Sequence, residues 1–140
     1  MSWLYNDIEL LEAQEGSTGF VYRIDINNGF YLGKKEFYTH RKVPKGKKEL
    51  ALQDGRASKK KLVVKESNWK NYCSSSEIVK GLVIDGHEPV RRILRICYSL
   101  KEMSYHENKL LYANIEDPAC LNKNVSGTYF KEEILKWVKQ

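Results

Sequence analysis

Gly19-Phe20-Val21-Tyr22-Arg23-Ile24-Asp25-Ile26-Asn27-Asn28-Gly29-Phe30-Tyr31-Leu32-Gly33 reads as two strands around a tight turn. Phe20, Tyr22, Ile24 and Ile26 alternate with Val21, Arg23 and Asp25, the period-2 pattern of a half-buried strand. Asn27-Asn28-Gly29 supplies residues that tolerate a sharp reversal, which feeds Phe30-Tyr31-Leu32 back as the partner strand of a β-hairpin. A lone hairpin is marginal in water, so other elements must cover it.

Downstream, Ser74-Ser75-Ser76-Glu77 forms a capping box ahead of the stripe Ile78, Val79, Leu82 and Val83, which predicts a helix ending near Gly86. Arg92 to Tyr98 is short, partly β-branched and follows Pro89, and reads as a central strand. Ser99 and Glu102 cap a further helix with Met103, Glu107, Leu110 and Leu111 on one face. Pro118 to Gly127 is a connecting loop, and Phe130, Ile134, Trp137 and Val138 describe an amphipathic C-terminal helix. Upstream, Leu4, Ile8 and Leu11 follow Ser2 near helical spacing and predict a short acidic helix stopped by Gly16. The expected class is α+β: a three-stranded antiparallel sheet flanked by helices, with a basic insertion after the hairpin.

With 140 residues, 41% of them hydrophobic, the chain suits one domain with a real core, and wholesale disorder is excluded. No apolar run approaches the ~20 residues of a membrane helix. Met1 to Glu15 lacks Lys and Arg, the opposite of a basic export signal. Cys73, Cys97 and Cys120 are odd in number and lack a C-x-x-C pair, so neither a disulfide framework nor a zinc site is expected, and a cytoplasmic location fits. The formal charge of +6 is uneven: Lys34 to Lys61 holds eleven basic residues against Glu36, Glu49 and Asp54, or +8, leaving −2 elsewhere. Pro44, Gly46 and Gly55 break this segment into irregular or short extended pieces. Such a block is either a solvated loop or a surface for polyanions such as nucleic acid.

Glu107 is the most informative single position, because an ionised carboxylate on a core-facing stripe costs several kcal/mol unless a cation or donors meet it. Either it sits at the stripe's edge beside a lysine, or something is bound there. Tyr22 and Tyr31 can share a sheet face under period-2 alternation.

Val21-Tyr22, Tyr31-Leu32-Gly33, Arg41, Glu107 and Asn124 occur in the order of the GIY-YIG nuclease signature, and the chain resembles that superfamily. Lys45-Gly46-Lys47-Lys48, Glu66-Ser67-Asn68-Trp69-Lys70 with Tyr72 and Ser74 to Ser76, and Asn122-Lys123-Asn124-Val125-Ser126-Gly127 make it similar to the seg-type phage endonucleases. The likeness spans residues 19 to 127, with Phe20 standing where the first motif has glycine and Gly19 one place earlier.

The resemblance implies a GIY-YIG-like fold and a metal-dependent endonuclease that hydrolyses DNA phosphodiester bonds, of phage homing type or one that cuts competitor or host DNA in an infected bacterium's cytoplasm. Tyr22, Tyr31, Arg41, Glu107 and Asn124 would be catalytic. Glu107 would hold one Mg2+ or Mn2+, a hard ion content with one carboxylate, waters and phosphate oxygens. Tyr31 or Tyr22 would deprotonate or orient the attacking water, Arg41 would grip the scissile phosphate through its planar fork, and Asn124 would position backbone or water. Lys34, Lys35, Lys42, Lys45, Lys47, Lys48, Lys59, Lys60 and Lys61 would follow phosphates of double-stranded DNA. Trp69 and Tyr72 are read as packing residues.

The expected organisation is an N-terminal acidic helical segment over 1–18, a nuclease domain over 19–127 and a C-terminal helix over 128–140 packed on it, as a monomer or homodimer. The alternative is a non-catalytic nucleic-acid-binding protein on the same fold.

Overall fold

The computed structural model describes residues 2–139. In chain order the strands are β1 (Trp3–Tyr5), β2 (Ile8–Glu9), β3 (Gly19–Ile26), β4 (Gly29–Glu36), β5 (Tyr38–Pro44), β6 (Lys60–Glu66), β7 (Val90–Cys97), β8 (Asn124–Val125) and β9 (Tyr129–Phe130). The helices are α1 (Lys47–Leu52), α2 (Glu77–Ile84), α3 (Leu100–Asn114) and α4 (Lys131–Val138).

The hairpin forms where the sequence places it. β3 and β4 pair from Gly19↔Glu36 to Ile26↔Gly29, and Asn27 and Asn28 take φ of 47° and 65° in the two-residue turn. β7 pairs antiparallel with the free side of β3, with Leu94 bulged out between Ile93 and Arg95, which face the consecutive residues Tyr22 and Val21. These are the three expected antiparallel strands.

Among the described residues up to 18, the expected N-terminal helix is absent. β1 and β2 instead form a second tight hairpin through Asn6 and Asp7, at φ of 52° and 63°, and β1 joins β7 in parallel. The sheet therefore has five strands, ordered β2-β1-β7-β3-β4. Leu4, Ile8 and Leu11 imitate a helical stripe, but Asn6-Asp7 carries the same turn chemistry as Asn27-Asn28. Pairing β1 with β7 buries the Trp3 ring 4.9 Å from Phe20 and 5.1 Å from Tyr22, which outweighs the small preference of a short isolated helix.

The basic insertion is more regular than expected. β5 and β6 pair from Tyr38↔Glu66 to Pro44↔Lys60, with α1 between them. Contacts divide the chain into two compact units, Met1–Phe37 with Asn68–Gln140, and Tyr38–Ser67. No residue of the second unit is buried.

The Ser99 cap forms as predicted, whereas α2 starts later than a Ser74–Glu77 capping box requires: Ser76 is its N-cap and Glu77 its first residue, while Ser74 Oγ accepts from Ser76 N–H. Ser76 Oγ accepts from Val79 N–H at the start of α2, and Ser99 Oγ accepts from Glu102 N–H at the start of α3. The Glu102 carboxylate reaches back to Tyr98 N–H at 2.7 Å, one residue beyond the usual capping box. In the first unit, Phe20, Tyr22, Phe37 and Trp69 form an aromatic layer with Trp3. Met103 packs with Val21 and Cys97, while Leu111 and Ile115 pack with Phe30, Leu32, Cys120 and Val125. The three cysteines are free, and burial pushes the Cys97 thiol up to about 11. Among the described residues, no helix is long and apolar enough to cross a membrane.

Candidate active site

The edge strand β4 organises the site. By its register, Tyr31, Gly33 and Lys35 lie on the face shared with Ile24, Tyr22 and Phe20 of β3. Gly33 is there because nothing larger fits: a Cβ would lie 2.5 Å from Tyr22 Cζ and 3.0 Å from its Cε2. The Tyr22 ring thus lies across bare backbone, with the Tyr31 ring centroid 6.4 Å away. Gly19, at the start of β3, is equally constrained, since a Cβ would meet Met103 Cε at 2.7 Å. It is Gly19, one place before Phe20, that makes the close approach.

The segment after Trp69 closes over these phenols. Arg91, 4% exposed, donates through Nη1 to the carbonyls of Lys70 at 3.0 Å and Tyr72 at 2.8 Å, with its guanidinium 4.9 Å from the Trp3 ring centroid. This clamp fixes Tyr72, which hydrogen-bonds the Tyr22 phenol and stands edge-on to its ring at 6.2 Å. Ser74 then turns the chain at φ 72°, a costly conformation for a residue with a Cβ, and the following Ser75 hydroxyl interacts with the Tyr31 phenol. Tyr31, Ser75, Glu77, Asn122, Lys123 and Asn124 line a cleft of about 250 Å³.

The opposite wall is set by side-chain ties. The Asn122 side chain accepts from Leu32 N–H at 2.9 Å and donates to Leu32 C=O at 2.7 Å, completing the edge of β4. Asn124 Oδ1 accepts from Gly127 N–H at 2.8 Å, which holds the β8–β9 turn. Ser126 Oγ donates to Asn108 Oδ1 at 2.7 Å, tying that turn to the residue beside Glu107 on α3.

The electrostatics follow from burial. Desolvation raises the Tyr22 phenol far above its ordinary value, and Tyr72, Tyr31 and Glu107 add to the rise. Burial also raises Tyr31, opposed by the hydrogen bond from Ser75 and reinforced by Tyr72 and Glu107. Burial raises the Glu107 carboxyl above the usual carboxylate range, and the Lys34 ammonium pulls it back. Lys34 itself donates to Ser104 Oγ at 2.8 Å, one turn before Glu107 on α3. Among the described residues, the Glu107 side chain makes no ion pair. Its charge is felt by both phenols.

The first unit therefore brings together Tyr22, Tyr31, Lys34, Lys35, Glu107 and Asn124. Arg41 and Lys42 are exposed on β5, Lys47 and Lys48 on α1, and Lys60 and Lys61 on β6, with Lys45 and Lys59 in the adjoining turns, all in the second unit. Arg41 is on β5, in register with Val63 of β6. Tyr72, Ser75 and Arg91 complete the phenol network and were not among the expected site residues. Only Tyr72 and Ser75 left a trace in the sequence, within the seg-like motif.

A family model described as "Putative endonuclease segE, GIY-YIG domain" matches residues 3–134. The chain belongs to the segE-type GIY-YIG family. The segE-type fold is thus an α+β nuclease domain whose central sheet carries Tyr22 and Tyr31. No curated protein and no solved structure matched the chain.

A divalent cation is compatible with the donors present. Among the described residues there is no group of three or more His, Cys, Asp and Glu side chains able to cage an ion. One partly buried carboxylate without an ion pair remains, which suits an ion that keeps most of its waters and takes substrate phosphate oxygens.

Proposed function

We propose that this segE-type domain is a divalent-cation-dependent endonuclease that hydrolyses double-stranded DNA beside Tyr31. The observation that carries the reading is Glu107: a desolvated carboxyl without an ion pair on α3, whose charge reaches both family tyrosines. Isolated, such a group is unfavourable; with Mg2+ or Mn2+ and a phosphate beside it, the same desolvation becomes an asset.

Glu107 would hold the cation, which when bound supplies positive charge against the phosphate and lowers the phenol pKa. Tyr31 faces the cleft, whereas Tyr22 is 1% exposed and locked to Tyr72. Tyr31 therefore takes the role of orienting the attacking water and drawing off its proton, and Tyr22 keeps Tyr31 in place. As the water oxygen bonds to phosphorus, the bond to the leaving sugar oxygen breaks and that oxygen takes up a proton. Asn124 holds the turn that closes the cleft. Arg41, with Lys42, Lys45, Lys47, Lys48, Lys59, Lys60 and Lys61, follows flanking phosphates from the β5–β6 hairpin, giving salt-dependent affinity. A phage nuclease of homing or competitor-cutting type, acting in the cytoplasm of an infected bacterium, is the biological setting the family suggests.

The test is incubation of purified protein with supercoiled plasmid in Mg2+ and in EDTA. Nicked or linear DNA in Mg2+ alone supports the proposal. Salt-sensitive binding without cleavage in Mg2+ replaces it with the non-catalytic binder.

A further inference from the structure

Hydrolysis at Tyr31 needs a cation against the scissile phosphate, and the family arginine is carried here by the second unit. The first unit has its own cations near the cleft and on the helix that follows it. Arg91 is spent on the carbonyls of Lys70 and Tyr72. Lys80 lies 3.9 Å from Glu77. Lys123 is exposed at the cleft rim, where water already screens its charge.

Lys35 differs from all three. It follows Tyr31 and Gly33 on the same face of β4, and its Nζ sits 4.2 Å from the Tyr72 ring centroid. Tyr72 is the ring that hydrogen-bonds Tyr22. Among the described residues, the Lys35 ammonium makes no ion pair. Burial lowers its pKa, with Glu36 only partly restoring it. A partly buried ammonium held over the Tyr72 ring face, with Glu36 as its neighbouring charge, has donors left for an arriving phosphate oxygen on the tyrosine face.

We propose that Lys35 is the catalytic cation that contacts the non-bridging oxygens of the scissile phosphate, the task the family gives to arginine. This rests on the nuclease reading above. It leaves Arg41 as one of the hairpin's phosphate contacts, which governs affinity more than rate.

The experiment compares wild type, Lys35→Ala, Lys35→Arg, Lys123→Ala and Arg41→Ala in single-turnover plasmid cleavage at saturating DNA, with DNA affinity measured separately in Ca2+. Lys35→Ala should slow cleavage about 100-fold, the scale of losing one preorganised charge at a transition state, while affinity changes less than about three-fold. Lys35→Arg should recover most of the rate, because it keeps the charge, which a purely packing role for Lys35 does not predict. A Lys35→Ala rate within about three-fold of wild type overturns the inference, as does a loss carried instead by Lys123→Ala or Arg41→Ala. If wild type cleaves nothing, the nuclease reading fails. Lys35 is then judged by titrating thymidine 3′,5′-bisphosphate against protein with isotope-labelled lysine. A bisphosphate-dependent shift of the Lys35 signal supports the phosphate site, and no shift overturns it.

Discussion

Gly33→Ala isolates the contact on which the site's geometry depends. Gly33 has no positive φ, so alanine brings no backbone strain and its cost is steric. The added Cβ would lie 2.5 Å from Tyr22 Cζ, about 1 Å inside ordinary carbon–carbon contact. Tyr22 cannot simply retreat: it is 1% exposed, and its centroid stands 5.1 Å from Trp3 and 6.2 Å from Tyr72. Overpacking of this kind costs about 1–3 kcal/mol, which lowers the Tm of a protein this size by roughly 3–9 °C. Moving the Tyr22 ring also moves its neighbours Tyr72 and Tyr31, so cleavage should fall about 100-fold if geometry must hold to about 1 Å. Differential scanning calorimetry and plasmid cleavage read the two effects. In a Tyr22→Ala background, where the ring is gone, Gly33→Ala should cost less than about 0.5 kcal/mol. An unchanged Tm for the single variant, or an equal cost in both backgrounds, would refute the reasoning.

Tyr31→Phe should abolish most cleavage with little change in Tm, whereas Tyr22→Phe, which loses the bond to Tyr72, should cost about 1 kcal/mol in stability; activity and thermal melts separate the two tyrosines. Asn122→Ala removes both bonds to the Leu32 backbone and should destabilise by roughly 2–4 kcal/mol, read by urea unfolding. The Glu107 carboxyl has a raised folded pKa, so its contribution to stability is present below the unfolded value and lost as pH rises through the folded one. Glu107→Gln should therefore melt higher than wild type in EDTA at pH about 8, with the gap closing near pH 4. Mg2+ should raise the wild-type Tm and leave that of Glu107→Gln unmoved.

What the sequence discloses here is mostly local. Asn27-Asn28, the Ser99 cap and the Phe20 to Ile26 alternation each specify their own few residues, and each forms as expected; among the three serines before Glu77 the cap falls on Ser76, two residues later than the box pattern places it. The β1–β2 hairpin escapes notice because Leu4, Ile8 and Leu11 satisfy a helical period, and its decisive partner, β7, lies over eighty residues away. The β5–β6 pairing is hidden by lysines that mask the strand pattern. Glu107 stands out because a carboxylate inside an apolar stripe is anomalous on its face. The clamp from Arg91 through Tyr72 to Tyr22 leaves no such mark, since an arginine in a strand and a tyrosine in a loop acquire meaning only when the fold brings them together.

The most direct test of the account is single-turnover plasmid cleavage in Mg2+ by wild type and Glu107→Gln, at protein concentrations that bind the DNA fully in both cases. Wild type should nick the plasmid while the glutamine variant, still bound, leaves it supercoiled. Equal cleavage by both proteins would contradict the account.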